Sequence, residues 1–317
     1  MKNQPVANST LRLSALALGN GAFSPGLPDG MTERLYAQYR EAGGNIFDTA
    51  HCYCFWLPNG NGASESALGK CIRNNNDRRK VFIITKGGHP AGLPDYPRPD
   101  AYLAPDVLAS DIHDSLERLG VDTIDLYLLH RDDTRMPVEV IIDALNTHIA
   151  AGRLHAIGVS NWRTSRIAEA NAYAQAHGLH GFVASEPQFS LAHSNTPEPL
   201  TDPAMRYLYS HDIAWHIQSQ LPVFCYSPTA CGYFASNGVR ARESFDNPVS
   251  RVRLNRVQQL AAQLGATPNQ IALAYLMALP FRAIPILGTA DPDHLADSLA
   301  AARIQLTPTQ ARWLCNG

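Results

Sequence analysis

Ile124-Asp125-Leu126-Tyr127-Leu128-Leu129-His130 is almost wholly apolar until it ends on a titratable ring. Such a run is too short for a helix and reads as a strand buried on both faces, as in a parallel sheet covered by helices. On its N-terminal side Leu108, Ile112, Leu116 and Leu119 recur at helical spacing, with Gly120 placed to stop the helix. On the other side Val138, Ile141, Ile142, Leu145 and Ile149 form a second stripe, ended near Gly152. This alternation runs along the chain. Further strands are expected at Ala15–Leu18, Asn45–Phe47, Val81–Thr85, Ala156–Val159, Phe182–Ser185, Val223–Tyr226 and Ala283–Pro285. A third helical stripe, Leu254, Val257, Ala261 and Leu264, is ended by Gly265. Thr267-Pro268-Asn269-Gln270 and Thr307-Pro308-Thr309-Gln310 read as capping boxes with Pro at the first helical position. Eight strands, most followed by a helix, predict an α/β fold. It is a single (β/α)8 TIM barrel over residues 1–317, with its active site at the C-terminal face of the strands.

A chain of 317 residues suits one such barrel. Hydrophobic residues make up 45% and charged residues 17%, which supports a large core and excludes wholesale disorder. The formal net charge is −2, and no long Lys or Arg run points to nucleic acid or an anionic membrane. Cys52, Cys54, Cys71, Cys225, Cys231 and Cys315 follow no disulfide rhythm. The N-terminus lacks an apolar targeting segment, so the Asn8-Ser9-Thr10 sequon carries no weight and a reducing cytoplasm is expected. A monomer or small homo-oligomer acting on a small molecule is expected, one that binds neither nucleic acid nor membrane.

Polar residues collect where the strands end. Asp48 closes one strand and Tyr53 follows it; Lys86 and His130 close the next two. Because those strands are neighbours in a barrel, the four side chains are expected to converge at one mouth. A free phenol has a pKa near 10, too high for proton transfer at neutral pH. A nearby ammonium favours the phenolate, a carboxylate holds the ammonium, and a neutral imidazole can hydrogen-bond a carbonyl oxygen. The set suits proton donation to a carbonyl as hydride arrives at its carbon.

Phe47-Asp48-Thr49-Ala50-His51-Cys52-Tyr53, Ile84-Thr85-Lys86 and Ser115-Leu116-Glu117-Arg118-Leu119-Gly120 resemble signatures of the aldo-keto reductases. So do Asp122 to His130 and Gly158-Val159-Ser160-Asn161, and the resemblance runs from about Leu13 to about Leu306. It implies a barrel that binds NAD(P)H without a Rossmann domain and reduces an aldehyde or ketone, sugar-derived ones included, to an alcohol. By that resemblance Tyr53 is the general acid/base, Lys86 and Asp48 tune it, and His130 orients the carbonyl. Ser160, Asn161 and Gln188 would bond the nicotinamide amide and Tyr226 would stack on its ring. Ser227, Pro228 and Gly232 would lie along the pyrophosphate, with Gly19 and Asn20 on the loop after the first strand. Phe55 and Trp56 are expected in the substrate wall, with Trp215 on another loop at the mouth.

The chain departs from the family pattern after the eighth strand. Gly288, followed by Thr289, stands where many members carry a Lys, and His294 stands where they carry an Arg to grip a 2′-phosphate. Arg240 and Arg242 are the available substitutes. NADPH is the expected cofactor, with NADH as the alternative. His51, Cys52 and Cys54 lack the spacing of a zinc site, and no metal is expected. Two alternatives stand beside the reductase: a cofactor-binding regulatory subunit of a membrane channel with weak turnover, or an enzyme working as an alcohol or sugar dehydrogenase.

Overall fold

A computed structural model describes residues 4–5, 12–21, 23–58, 60–91, 96–200, 202 and 204–316; the Asn8-Ser9-Thr10 sequon lies outside them. Strands β1 (Gln4–Pro5) and β2 (Arg12–Leu13) pair antiparallel. The next eight are β3 (Ala17–Gly19), β4 (Ile46–Asp48), β5 (Phe82–Gly87), β6 (Leu126–Leu129), β7 (Ile157–Ser160), β8 (Phe182–Glu186), β9 (Val223–Cys225) and β10 (Ala283–Leu287). They close a parallel barrel in the order β10-β3-β4-β5-β6-β7-β8-β9.

All eight strands fall where the sequence places them, but most end later than expected. The polar residues at their ends belong to the ladder: Asp48 pairs with Gly19 and with Ile84, and Lys86 with Leu128. The fourth barrel strand starts late instead. Asp125 turns its carboxylate to the Ile83 amide (2.9 Å) and to Arg78 (3.0 Å), leaving Ile124 as an isolated bridge before β6.

Among the described residues the helices are α1 (Met31–Glu41), α2 (Ala63–Asn74), α3 (Pro105–Leu119), α4 (Val138–Ala150), α5 (Thr164–Ala176), α6 (Ser210–Ser219), α7 (Arg242–Phe245), α8 (Pro248–Leu264), α9 (Pro268–Met277), α10 (Pro292–Ala300) and α11 (Pro308–Cys315). Gly120 (φ 66) and Gly265 (φ 63) end α3 and α8 in the left-handed conformation that glycine adopts without strain. Both Thr-Pro-x-Gln boxes form, at the starts of α9 and α11. Leu264 breaks the expected stripe: it is 46% exposed, because α8 buries its Leu254, Val257, Leu260 and Ala261 face and ends one turn beyond. Trp215 lies within α6, not on a loop, since Tyr209 and Asp212 form a capping box that starts a helix there. No helix is long and apolar enough to cross a membrane among the described residues.

The chain forms two compact units. The first is Leu18–Ala37 with Asn45–Ser185; the second is Met1–Ala17, Gln38–Gly44 and Glu186–Gly317. In the first, Tyr36 stacks on Phe47 (4.8 Å), while α3 buries Leu108, Ile112 and Leu119 and α4 buries Val138, Ile141, Ile142 and Leu145. In the second, a continuous cluster joins Phe189, Val223, Phe234, Val257, Ile271 and Leu314.

Candidate active site

Asp48, Tyr53, Lys86 and His130 all belong to the first unit, and backbone hydrogen bonds at the strand ends fix their places. Thr49 N–H donates to Ile84 O (2.9 Å), His51 N–H to Lys86 O (2.8 Å) and His130 N–H to Gly87 O (2.8 Å). Lys86, fully buried, donates through Nζ to both carboxylate oxygens of Asp48 (2.7 and 2.8 Å), to Thr49 O (3.0 Å) and to Tyr53 Oη (3.1 Å). A buried ammonium needs such an arrangement, since removing it from water is costly unless a counter-ion and hydrogen bonds replace the solvent. Tyr53 is half-buried and meets the edge of the His130 ring (5.8 Å between centroids). The four side chains expected to converge do so.

His130 is 7% exposed, and burial, reinforced by the charge of Arg131, drives its pKa well below the usual 6.5. The imidazole is therefore neutral at physiological pH. Its Nδ1 lies 3.4 Å from Cys52 Sγ. Burial pushes the Cys52 thiol up to about 12, so the sulfur keeps its proton. The His89 ring also packs edge-on with it (4.9 Å between centroids). The sequence reading missed both neighbours. Cys52 was weighed only as a metal ligand, although its place one residue before Tyr53 was a signal. His89 gave none, being simply three residues past Lys86 on a loop.

Phe55 and Trp56 touch edge to face (5.3 Å), and Phe55 stacks on Tyr96 (4.9 Å). Trp56 is 48% exposed. Tyr96 is tied from behind: its hydroxyl bonds His51 Nδ1 (2.9 Å), whose Nε2 bonds Asp114 (3.1 Å). Both nitrogens of His51 are thus engaged with the protein. Gly21 backs the Tyr53 ring, which a Cβ there would meet at 3.7 Å. Asn20 is fully buried below the cluster; with its amide nitrogen turned inward it donates to Asp48 O and Leu18 O, 3.2 Å each. Gly19 is the last residue of β3.

Ser160 and Asn161 are buried at the end of β7, where the Asn161 amide donates to Ser160 Oγ (2.9 Å) and to His130 O (3.4 Å). In the second unit, Gln188 bridges to both Tyr207 and Tyr226. After Tyr226 the backbone enters the left-handed region at Ser227, Ala230, Cys231 and Gly232. Non-glycine residues held there are strained and tend to occur at binding sites. Pro228 is buried inside this turn. A Cβ on Gly232 would press on Arg240 Cδ at 3.2 Å, so the glycine lets the exposed Arg240 lie across the turn. Arg242 pairs with Asp246 (3.5 Å). Gly288 is exposed with nothing within 4 Å of its Cβ direction. The Asp291 N–H donates to Thr289 Oγ1 (3.0 Å), Asp291 caps α10, and His294 lies 3.8 Å from that carboxylate.

Compared with known proteins, residues 15–314 match the model of the Aldo/keto reductase family. An uncharacterized oxidoreductase of Bacillus subtilis, YrpG, is 30% identical over 96% of this chain and 92% of its own length. A putative voltage-gated potassium channel subunit beta of Schizosaccharomyces pombe is 28% identical over 97% of this chain and 91% of its own. The aldo-keto reductase str7 of Strobilurus tenacellus is 28% identical over 84% of this chain and 74% of its own.

Proposed function

This chain belongs to the aldo/keto reductase family, and from that premise we propose that it reduces an aldehyde or ketone with NADPH, taking the proton from Tyr53. The observation that carries the reading is the ladder of contacts Asp48–Lys86–Tyr53, with Lys86 Nζ 3.1 Å from the phenol oxygen.

Bound dihydronicotinamide supplies the hydride. Tyr53 gives its Oη proton to the carbonyl oxygen, and Lys86 stabilises the phenolate left behind because its ammonium already donates to that oxygen. Asp48 holds the ammonium in place and balances its charge. His130, neutral, donates to the same carbonyl and orients it. For that task Nε2 must carry the proton. The protonated Cys52 thiol donating to Nδ1 selects this tautomer, which makes Cys52 a positioning residue. Ser160, Asn161 and Gln188 offer amide and hydroxyl groups suited to a carboxamide, and Tyr226 offers an aromatic face. The left-handed turn through Ser227, Pro228 and Gly232 suits a pyrophosphate, with Arg240 beside it; Gly288, Thr289 and His294 would face the adenosine end. Phe55 and Trp56 form a wall for an apolar or sugar-like substrate.

The relative named as a channel subunit favours a second reading, in which the chain binds cofactor with little turnover. Cofactor oxidation in the presence of a panel of aldehydes separates the two. A reductase turns over with at least one of them; tight cofactor retention without turnover across the panel sinks the enzyme reading.

A further inference from the structure

A cavity of about 700 Å³ lies wholly within the second unit, between the segment after β8 and helices α6, α8, α9 and α11. That volume is in the range of small-molecule sites. Phe189, Leu208, Ile213, Leu279 and Ala311 give it apolar walls. Arg253 and Arg312 also line it, and among the described residues no Asp or Glu does.

Arg253 is the telling side chain. It projects from α8, where its Nη1 donates to Leu191 O (2.8 Å). That bond ties down the segment after β8, and it accounts for one corner of the guanidinium. The Nε–H is buried without a partner, and no carboxylate among the described residues pairs with the group. Burial accordingly lowers its pKa. Arg253 as a whole is half-buried, but its Nε–H is closed off from water, and a guanidinium set against apolar walls is ordinarily matched by an anion. Tyr209, Ser190 and Ser194 supply further polar groups around the cavity.

We propose that this cavity is a binding site for an amphipathic carboxylate, a medium-chain fatty acid or a compound of that shape. Its headgroup pairs with Arg253 and its chain lies along the apolar walls. Guanidinium and carboxylate match in charge and in planar geometry, and the hydrocarbon removes apolar wall from water. Of the residues assigned to carbonyl reduction only Gln188 also lines the cavity; Arg253 and Ala311 are not among them.

Dodecanoate, dodecan-1-ol and dodecylammonium, each below its micelle threshold, are titrated calorimetrically into the full chain. Dodecanoate is expected to bind at least about tenfold more tightly than either of the others, with an affinity that added salt weakens. Arg253→Met should lose that margin, and Arg253→Lys should keep part of it. Ala311→Trp, which fills the cavity and leaves Arg253 in place, should abolish binding while cofactor oxidation is retained; it decides the matter if the Arg253 variants misfold. Equal binding of acid and alcohol, or dodecanoate binding untouched by Arg253→Met and by Ala311→Trp, overturns the proposal. So does sedimentation showing a dimer that Ala311→Trp dissociates, since the face would then be covered by a second copy.

Discussion

Lys86 Nζ bonds both carboxylate oxygens of Asp48, at 2.7 and 2.8 Å, with both side chains almost wholly out of water. Neither charge is tolerable there alone. Lys86→Met should therefore cost about 3–5 kcal/mol of stability, because it strands the carboxylate. Adding Asp48→Leu to that variant should restore much of the loss, as the second charge goes too. Denaturant titration of the three variants checks this; a single variant as stable as wild type refutes the coupling.

Tyr53→Phe keeps the ring against His130 and Gly21 and removes only the hydroxyl. Carbonyl reduction should fall by about 10²–10⁴ with cofactor affinity nearly unchanged. Retention of most of kcat would mean that another group delivers the proton.

Cys52→Ala deprives His130 Nδ1 of its neighbour at 3.4 Å. A net hydrogen bond contributes about 1 kcal/mol, so kcat should drop roughly fivefold to tenfold, with KM changing less. Cys52→Ser, which keeps a donor, should recover most of it. If Ala and Ser behave alike, the thiol only fills space.

The depressed pKa of His130 has a pH signature. In the unfolded chain the ring titrates near 6.5. Above that pH both states hold it neutral, and its contribution to stability is complete. As pH falls below 6.5 the unfolded chain takes up a proton that the buried ring does not, so stability declines until the lower folded pKa is reached. Wild type should lose stability more steeply between about pH 6.5 and 5 than His130→Gln does. Parallel slopes in denaturant titrations would contradict it.

If Gly288 and His294 face the adenosine end as proposed, cofactor choice turns on a place where Gly288 stands exposed and His294 lies 3.8 Å from Asp291. Selectivity for a 2′-phosphate ordinarily needs a positioned Arg or Lys. If Arg240 supplies it, Arg240→Ala should raise KM for NADPH far more than for NADH, and salt should blunt the preference. A wild-type enzyme that uses both alike would remove NADPH from the proposal.

The barrel was legible because each buried strand announces itself by composition, and helices by period and by residues such as Gly120, Thr267 and Thr307. The four polar residues were legible for a related reason. In a parallel barrel the strand end is a fixed place, so Asp48, Lys86 and His130 had to face one rim. Boundaries were less so. Asp125 was read as part of a strand, yet its carboxylate competes for the Ile83 amide, a contact across 42 residues of chain. Leu264 fitted the helical period, but period does not say where the neighbouring surface ends.

By itself, then, the sequence determined the order of strands and helices, the caps that bound several of them, and the rim on which the titratable residues stand. Those follow from local propensity and from the two-sided burial of each strand. Tertiary structure alone decided what surrounds each side chain: Cys52 against His130, Tyr96 behind Phe55, Arg253 lining a cavity where no described residue is a carboxylate. Burial sets the protonation of His130 and Cys52, and it arises only when segments distant in sequence exclude water together.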